Sequence, residues 1–157
     1  MISLLVLLVP VLVLFGGYQL LAGRNQPVEI DPAPAYAQAN AAGLAVAAPE
    51  GLDAGWVPVS AQFDPRGSGG TLRVGYVSPA GEPVQVLYST VAPEMLLPER
   101  LPDIGPPTGE VRIGGGSWQV FPPRAGERAL VRMASDLTTI VVGGADQAEL
   151  EHLAAHS

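Results

Sequence analysis

Residues 71–90, TLRVGYVSPAGEPVQVLYST, decide the fold class. In the first half the large apolar side chains fall on alternate positions, Leu72, Val74 and Tyr76, and in the second half they do so again at Val84, Val86 and Tyr88. A period of two marks a strand with one buried face, because successive side chains of an extended chain point to opposite sides. Pro79, Ala80 and Gly81 between the two runs carry turn chemistry, so the segment predicts a β-hairpin.

The same pattern continues on both sides. Trp56 to Phe63 is the preceding strand, and Pro58, which has no N–H for a ladder, marks it as an edge strand. Residues 64–70 (DPRGSGG) form the turn between the two. Downstream, strands are expected at 110–113, 118–121, 128–133 and 137–142, separated by turns at 114–116 (GGG), 122–126 (PPRAG) and 134–136 (ASD). Residues 93–101 (PEMLLPERL) predict a short helix or turn interrupted by Pro98, and 101–107 (LPDIGPP) no regular structure. Residues 145–156 (ADQAELEHLAAH) predict a closing helix with Leu150, Leu153 and Ala154 as its apolar stripe. The expected fold is α+β: over residues 56–157, an antiparallel meander of about six or seven strands with one face packed by short helices, including a C-terminal one.

Upstream, residues 23–55 are expected to be a tether holding a short Ala-rich helix and a loop. Asp31 can cap and Pro32 is preorganised for the first turn. Ala33 to Ala42 contains Tyr36 as its one large side chain, Gly43 ends the helix, and 47–51 (AAPEG) is a loop. Before the tether, Ile2 to Leu21 (ISLLVLLVPVLVLFGGYQLL) holds no charge, and fourteen of its residues are Leu, Ile, Val or Phe. As a helix it spans roughly 30 Å, the thickness of a bilayer's hydrocarbon core. A transmembrane anchor over residues 1–22 is therefore expected, with the membrane as a partner through Ile2 to Leu21. A cleaved signal peptide is the rival reading, but Ala35-Tyr36-Ala37 lies too far beyond the apolar run and Leu21-Ala22-Gly23 is a poor cleavage site. Arg24 taken alone points the folded part towards the cytoplasm. The acidic flank of Glu29, Asp31, Glu50 and Asp53 is compatible with translocation, and an extracytoplasmic domain is the expectation.

Composition excludes several classes. The formal net charge is −7, so there is no basic face to displace counterions from a nucleic acid. All eight basic residues are Arg, and none clusters beyond the apolar segment to meet anionic lipid. With no cysteine there is no disulfide, thiolate metal site, Cys nucleophile or lipidated cysteine.

Several stretches together resemble a known family: the apolar N-terminus, residues 31–39 (DPAPAYAQA), 55–61 (GWVPVSA), 72–79 (LRVGYVSP), 116–118 (GSW), 129–132 (ALVR) and 141–145 (VVGGA) before a short helix. The chain resembles the actinobacterial domain of unknown function 4245 family over almost its whole length. The resemblance implies a single-pass membrane protein with a small domain outside the membrane. Family members carry an Arg-bearing stretch ahead of the helix, which is not found between Met1 and the apolar run here. The resemblance supplies no activity and no site residues.

No catalytic motif stands out. Glu149, His152 and His156 share one helix face, and two His four apart can bind a metal, but a solvated terminal face is the simpler reading. Gly114-Gly115-Gly116 lacks the Lys and following helix of a phosphate loop. Ser60, Ser78, Ser89, Ser117 and Ser135 fall at strand ends or turns with no nucleophile elbow, and Glu94 and Glu99 lie in a Pro-broken segment. Arg73, Arg112, Arg128 and Arg132 lie on strands and would form an anion or partner patch if several shared a face; a solvated face paired with Glu110 and Glu127 is the plainer reading. Trp56, Tyr88 and Trp118 are the candidate ligand-groove residues, set against ordinary core packing. The function expected is a non-enzymatic binding or accessory domain of the cell envelope with an envelope protein partner and no cofactor; the alternative is a small-ligand or lipid carrier using an apolar groove between sheet and helix.

Overall fold

The computed structural model describes residues 27–157. The element order is α1 (Ala33–Ala41), β1 (Val57–Pro65), β2 (Gly70–Val77), β3 (Pro83–Ser89), α2 (Pro93–Arg100), β4 (Gly109–Ile113), β5 (Gly116–Arg124), β6 (Glu127–Met133), β7 (Thr138–Gly143) and α3 (Gln147–Ala155). The seven strands form one antiparallel sheet in the order β1-β2-β3-β7-β6-β5-β4. Among the described residues no helix is long and apolar enough to cross a membrane. The anchor expected over residues 1–22 lies outside them.

The sheet is not a single meander. β1-β2-β3 form one and β4-β5-β6-β7 a second, and the two join where β7 pairs with β3. The chain reaches the far edge by crossing the sheet with α2, which buries Leu96 against Leu87, Phe121, Val131 and Ile140. The opposite face carries α1 and α3 over Leu72, Val74, Tyr76, Val84, Val86, Tyr88, Trp118, Leu130 and Val141. Helices therefore cover both faces, where alternation had suggested one. The second face was masked in β2 because its residues there are Thr71, Arg73 and Gly75, which read as polar or small although Thr71 is buried.

Local chemistry accounts for the element ends. Asp31 Oδ1 accepts from the Ala33 N–H at 2.9 Å in the turn leading into α1, whose N-cap position is Pro32 and not Asp31. The helix closes with Gly43 at φ +93°, while the Gly43 and Leu44 N–H groups donate to Asn40 and Ala39 carbonyls and Leu44 is fully buried. This is the pattern that satisfies the last carbonyls of a helix. Tyr36, Ala39 and Leu44 belong to the main core, so part of segment 23–55 is integral to the domain. Small Ala side chains on α1 let its backbone lie close to β1 and β2.

Strand β1 is an edge strand, as Pro58 implied, with a bulge between Pro58 and Ser60. It runs on to Pro65, two residues into the turn expected at 64–70, where Asp64 is held to Arg73 of β2 by a 2.7 Å ion pair. Gly114 and Gly115 both have positive φ, 55° and 79°, and form the tight turn between β4 and β5. At the C-terminus Asp146 Oδ1 accepts from the Glu149 N–H at 2.9 Å, and Leu150, Leu153 and Ala154 are buried as the apolar stripe predicted.

Candidate functional site

A cleft of about 600 Å³ opens on the α1/α3 face, lined by residues 45–48, Glu50, Tyr88, Arg132, Leu137 and the end of α3 at 155–157. Its size falls within the roughly 300–1,000 Å³ common for small-molecule sites. The sheet register builds its floor. Tyr88 of β3 pairs with Thr139 of β7, and Thr139 pairs with Arg132 of β6. Trp118 on β5 extends the row, with the Arg132 guanidinium carbon 5.5 Å from its ring centroid. From above, Tyr36 of α1 meets Tyr88 edge to face, the ring centroids 6.2 Å apart.

The Tyr36 phenol lies against those of Tyr88 and Tyr76, and that of Tyr88 also against Ser157. Two polar atoms of this row, Thr139 Oγ1 and Trp118 Nε1, are buried without a hydrogen-bond partner. Leaving such a group unpaired costs about 1–3 kcal/mol each, and folded proteins tolerate few of them. Here both lie on the sheet face beneath α1 and α3, under the cleft and not among its lining residues. Burial pushes the Tyr88 phenol up to about 12. Burial, and then the neighbouring phenols of Tyr88 and Tyr76, raise Tyr36 well above its ordinary value, and burial raises Tyr76 too.

Arg132 differs from the other strand arginines. Arg73 is paired with Asp64, and Arg128 Nη1 donates to the Ala145 carbonyl at 3.3 Å. Arg132 has no carboxylate within ion-pair distance among the described residues, and its ring contact with Trp118 leaves its in-plane N–H donors uncommitted. The four strand arginines do not form one patch: Arg128 and Arg132 flank Leu130 on the α1/α3 face, whereas Arg73 pairs with Leu87 of the α2 face. Glu110 accepts from the Ser117 hydroxyl rather than facing an arginine.

The wall of the cleft depends on one side chain. Asn40 donates to the Tyr36 and Val46 carbonyls at 3.0 and 2.8 Å and accepts from the Val46 N–H at 3.1 Å. Asn40→Ala is expected to cost about 1–3 kcal/mol and to speed exchange of the Val46 amide while leaving the central strands protected. Uniform exchange throughout the chain would show that Asn40 does not hold this wall separately.

The candidate residues read from sequence separate in space. Tyr88 lines the cleft. Trp118 is fully buried under Arg132. Trp56 is buried further along the same core, with Tyr76 edge-on at 6.4 Å and His152 stacked at 6.4 Å. In the Glu149, His152 and His156 set the two imidazoles stay together, their centroids 4.7 Å apart, while each residue has other partners. Glu149 accepts from Ser78 Oγ and the Ala80 N–H, His152 Nε2 lies 3.6 Å from Asp53, and His156 Nδ1 contacts the His152 carbonyl at 2.7 Å. Gly114 to Gly116 form a hairpin turn. Sequence reading did not single out Thr139, place Tyr36 over the sheet, or join Arg132 to Tyr88; the pairing of β7 with both β3 and β6 brings Tyr88, Thr139 and Arg132 side by side, and α1 sets Tyr36 on Tyr88. A smaller cleft of about 250 Å³ lies on the α2 face, among Leu101, Ile104, Pro122, Ala129 and Val142.

Fold and site together define an α+β domain, its antiparallel sheet covered on both faces, with an open cleft on the α1/α3 face. The chain belongs to the DUF4245 family of proteins of unknown function, whose family model matches residues 1–156. No curated protein and no solved structure matches it.

Proposed function

We propose that this chain is a non-enzymatic binding domain of an actinobacterial cell envelope, tethered by a single membrane span over residues 2–21 with its folded part on the outer side. The uncharged apolar stretch supports the tether. The observation that carries binding is the cleft lined by Tyr88 and by Arg132, whose guanidinium has no carboxylate partner among the described residues. The groups that could act as nucleophile or base there are otherwise engaged: Ser157 Oγ donates to the Ala154 carbonyl, and His156 Nδ1 contacts a backbone carbonyl. The carrier reading would use this open cleft at Tyr88 rather than a groove reaching Trp56.

Location is tested with a C-terminally tagged chain. It should sediment with membranes, pass to the soluble fraction when residues 2–21 are deleted, and be digested by protease added to intact cells. Protection of the tag while a known surface protein is cut would place the domain on the inner side.

A further inference from the structure

We infer that two copies of this chain pair through strand β4, antiparallel about a two-fold axis at Val111, so that Glu110 of each copy meets the partner's Arg112 and the two sheets become one. The sheet ends on β1 at one side and on β4 at the other. An edge strand leaves a row of backbone N–H and C=O groups open to another chain unless something guards it. β1 is guarded: Pro58 lacks an N–H, the strand bulges between Pro58 and Ser60, and the Ile30 N–H donates to the Pro58 carbonyl at 2.9 Å. β4 has none of these protections. Gly109–Ile113 contains no proline, its register with β5 is unbroken, and among the described residues no further backbone hydrogen bond reaches it.

The turn fixes which groups point outward. Gly114 and Gly115 join Ile113 to Gly116 as a two-residue hairpin, which closes on a hydrogen-bonded pair. Bonded and non-bonded pairs alternate along an antiparallel ladder, so Val111 is bonded to Trp118, and the backbone groups of Glu110 and Arg112 face away from β5. A second β4, laid antiparallel with Val111 opposite Val111, sets each Glu110 against the partner's Arg112 with both reciprocal backbone bonds made. Facing side chains lie on the same side of a sheet, so each carboxylate then meets a guanidinium. The order Glu110-Val111-Arg112 is its own antiparallel complement. A slip of two residues either way would oppose Glu110 to Glu110 or Arg112 to Arg112, and a slip of one would turn the apolar face outward. Both charged side chains are exposed, and Arg112 has no carboxylate within ion-pair distance among the described residues. Glu110 is steadied by the Ser117 hydroxyl of its own sheet. On the other side Val111 is half-buried against the main core, and the second Val111 would cover it.

The test uses the full chain in density-matched detergent micelles, its mass read by sedimentation equilibrium over about 10 μM to 1 mM. The parent should pass from monomer to dimer. Glu110→Arg alone and Arg112→Glu alone each turn both cross-strand contacts of the dimer into like-charge pairs, and each should weaken self-association about 10- to 100-fold. Mixed together, the two variants should associate as tightly as the parent, because every facing pair is then unlike, and a chain carrying both exchanges should dimerise again. A folding defect would not be reversed by mixing. In membranes, Val111→Cys, in a chain with no cysteine of its own, should give a disulfide-linked dimer on oxidation with copper phenanthroline. Facing residues of a non-bonded pair have Cα atoms about 4.5 Å apart, within disulfide reach. Glu110→Cys should link poorly alone and well when mixed with Arg112→Cys. A chain that stays monomeric throughout would overturn the inference and leave this edge for an extended segment of another protein. A dimer indifferent to both charge reversals, or a mixture of the two variants that fails to associate, would overturn it by placing the contact elsewhere.

Discussion

Trp118→Ala should destabilise the domain by about 3–5 kcal/mol, a large part of the roughly 5–15 kcal/mol that holds a domain of this size together. Trp118 is fully buried, pairs across the sheet with Val111, and lies beneath Arg132 in the core that α1 and α3 cover. Removing the indole leaves a cavity that two antiparallel neighbours cannot close, and takes the ring from under the guanidinium. Trp118→Phe keeps most of the packing and sheds an N–H that has no partner, so its cost should stay under about 2 kcal/mol. Guanidinium unfolding followed by circular dichroism reads both. A loss below about 1 kcal/mol for the alanine variant would remove Trp118 from the list of residues that hold the sheet to its helices.

The second large effect appears in alkali. In the unfolded chain tyrosines ionise near pH 10. In the native domain burial raises Tyr88 to about 12 and Tyr36 also upward. Above pH 10 the native state therefore holds protons that the unfolded state has released, and stability falls as pH rises. The contribution is fully present below the unfolded value and drains away between about pH 10 and 12, at up to about 1.4 kcal/mol per pH unit for each phenol. The chain makes the measurement clean, because it has neither lysine nor cysteine to titrate in that window. Urea unfolding midpoints from pH 8 to 11.5 should be flat and then drop, with the tyrosinate absorbance rising in step with unfolding. Tyr36→Phe should flatten the drop by one phenol's share; an unchanged slope would mean that Tyr36 is not kept protonated by the fold.

Much of the fold was legible because its signals are local. Alternation at Leu72, Val74, Tyr76 and at Val84, Val86, Tyr88 identified strands and their inward faces, Pro58 identified an edge, and the Leu150, Leu153 stripe identified the closing helix. Three features were hidden for separate reasons. The placement of β7 beside β3 depends on residues far apart in sequence, and no local pattern encodes it. The role of α1 was obscured because a helix of alanines has little amphipathic contrast, although its small side chains are what bring Tyr36 down onto Tyr88. The second buried face was obscured because β2 presents Arg73 and Gly75 there, while Leu87, Val131 and Ile140 supply the apolar surface from other strands. The site followed the same division. Tyr88 and Trp118 stood out by size and Arg132 by charge, whereas Thr139, a small polar residue between them, has meaning only through its register.

The late position of β7 sets an order on folding. Until residues 138–143 exist, β3 and β6 each present a row of unpaired backbone groups, and the cleft floor lacks its middle member. A chain cut short before residue 138 would be two small ribbons with open edges, prone to pair with other copies. Residues 138–143 must therefore be present before the domain can close, and only then is the sheet under the cleft continuous.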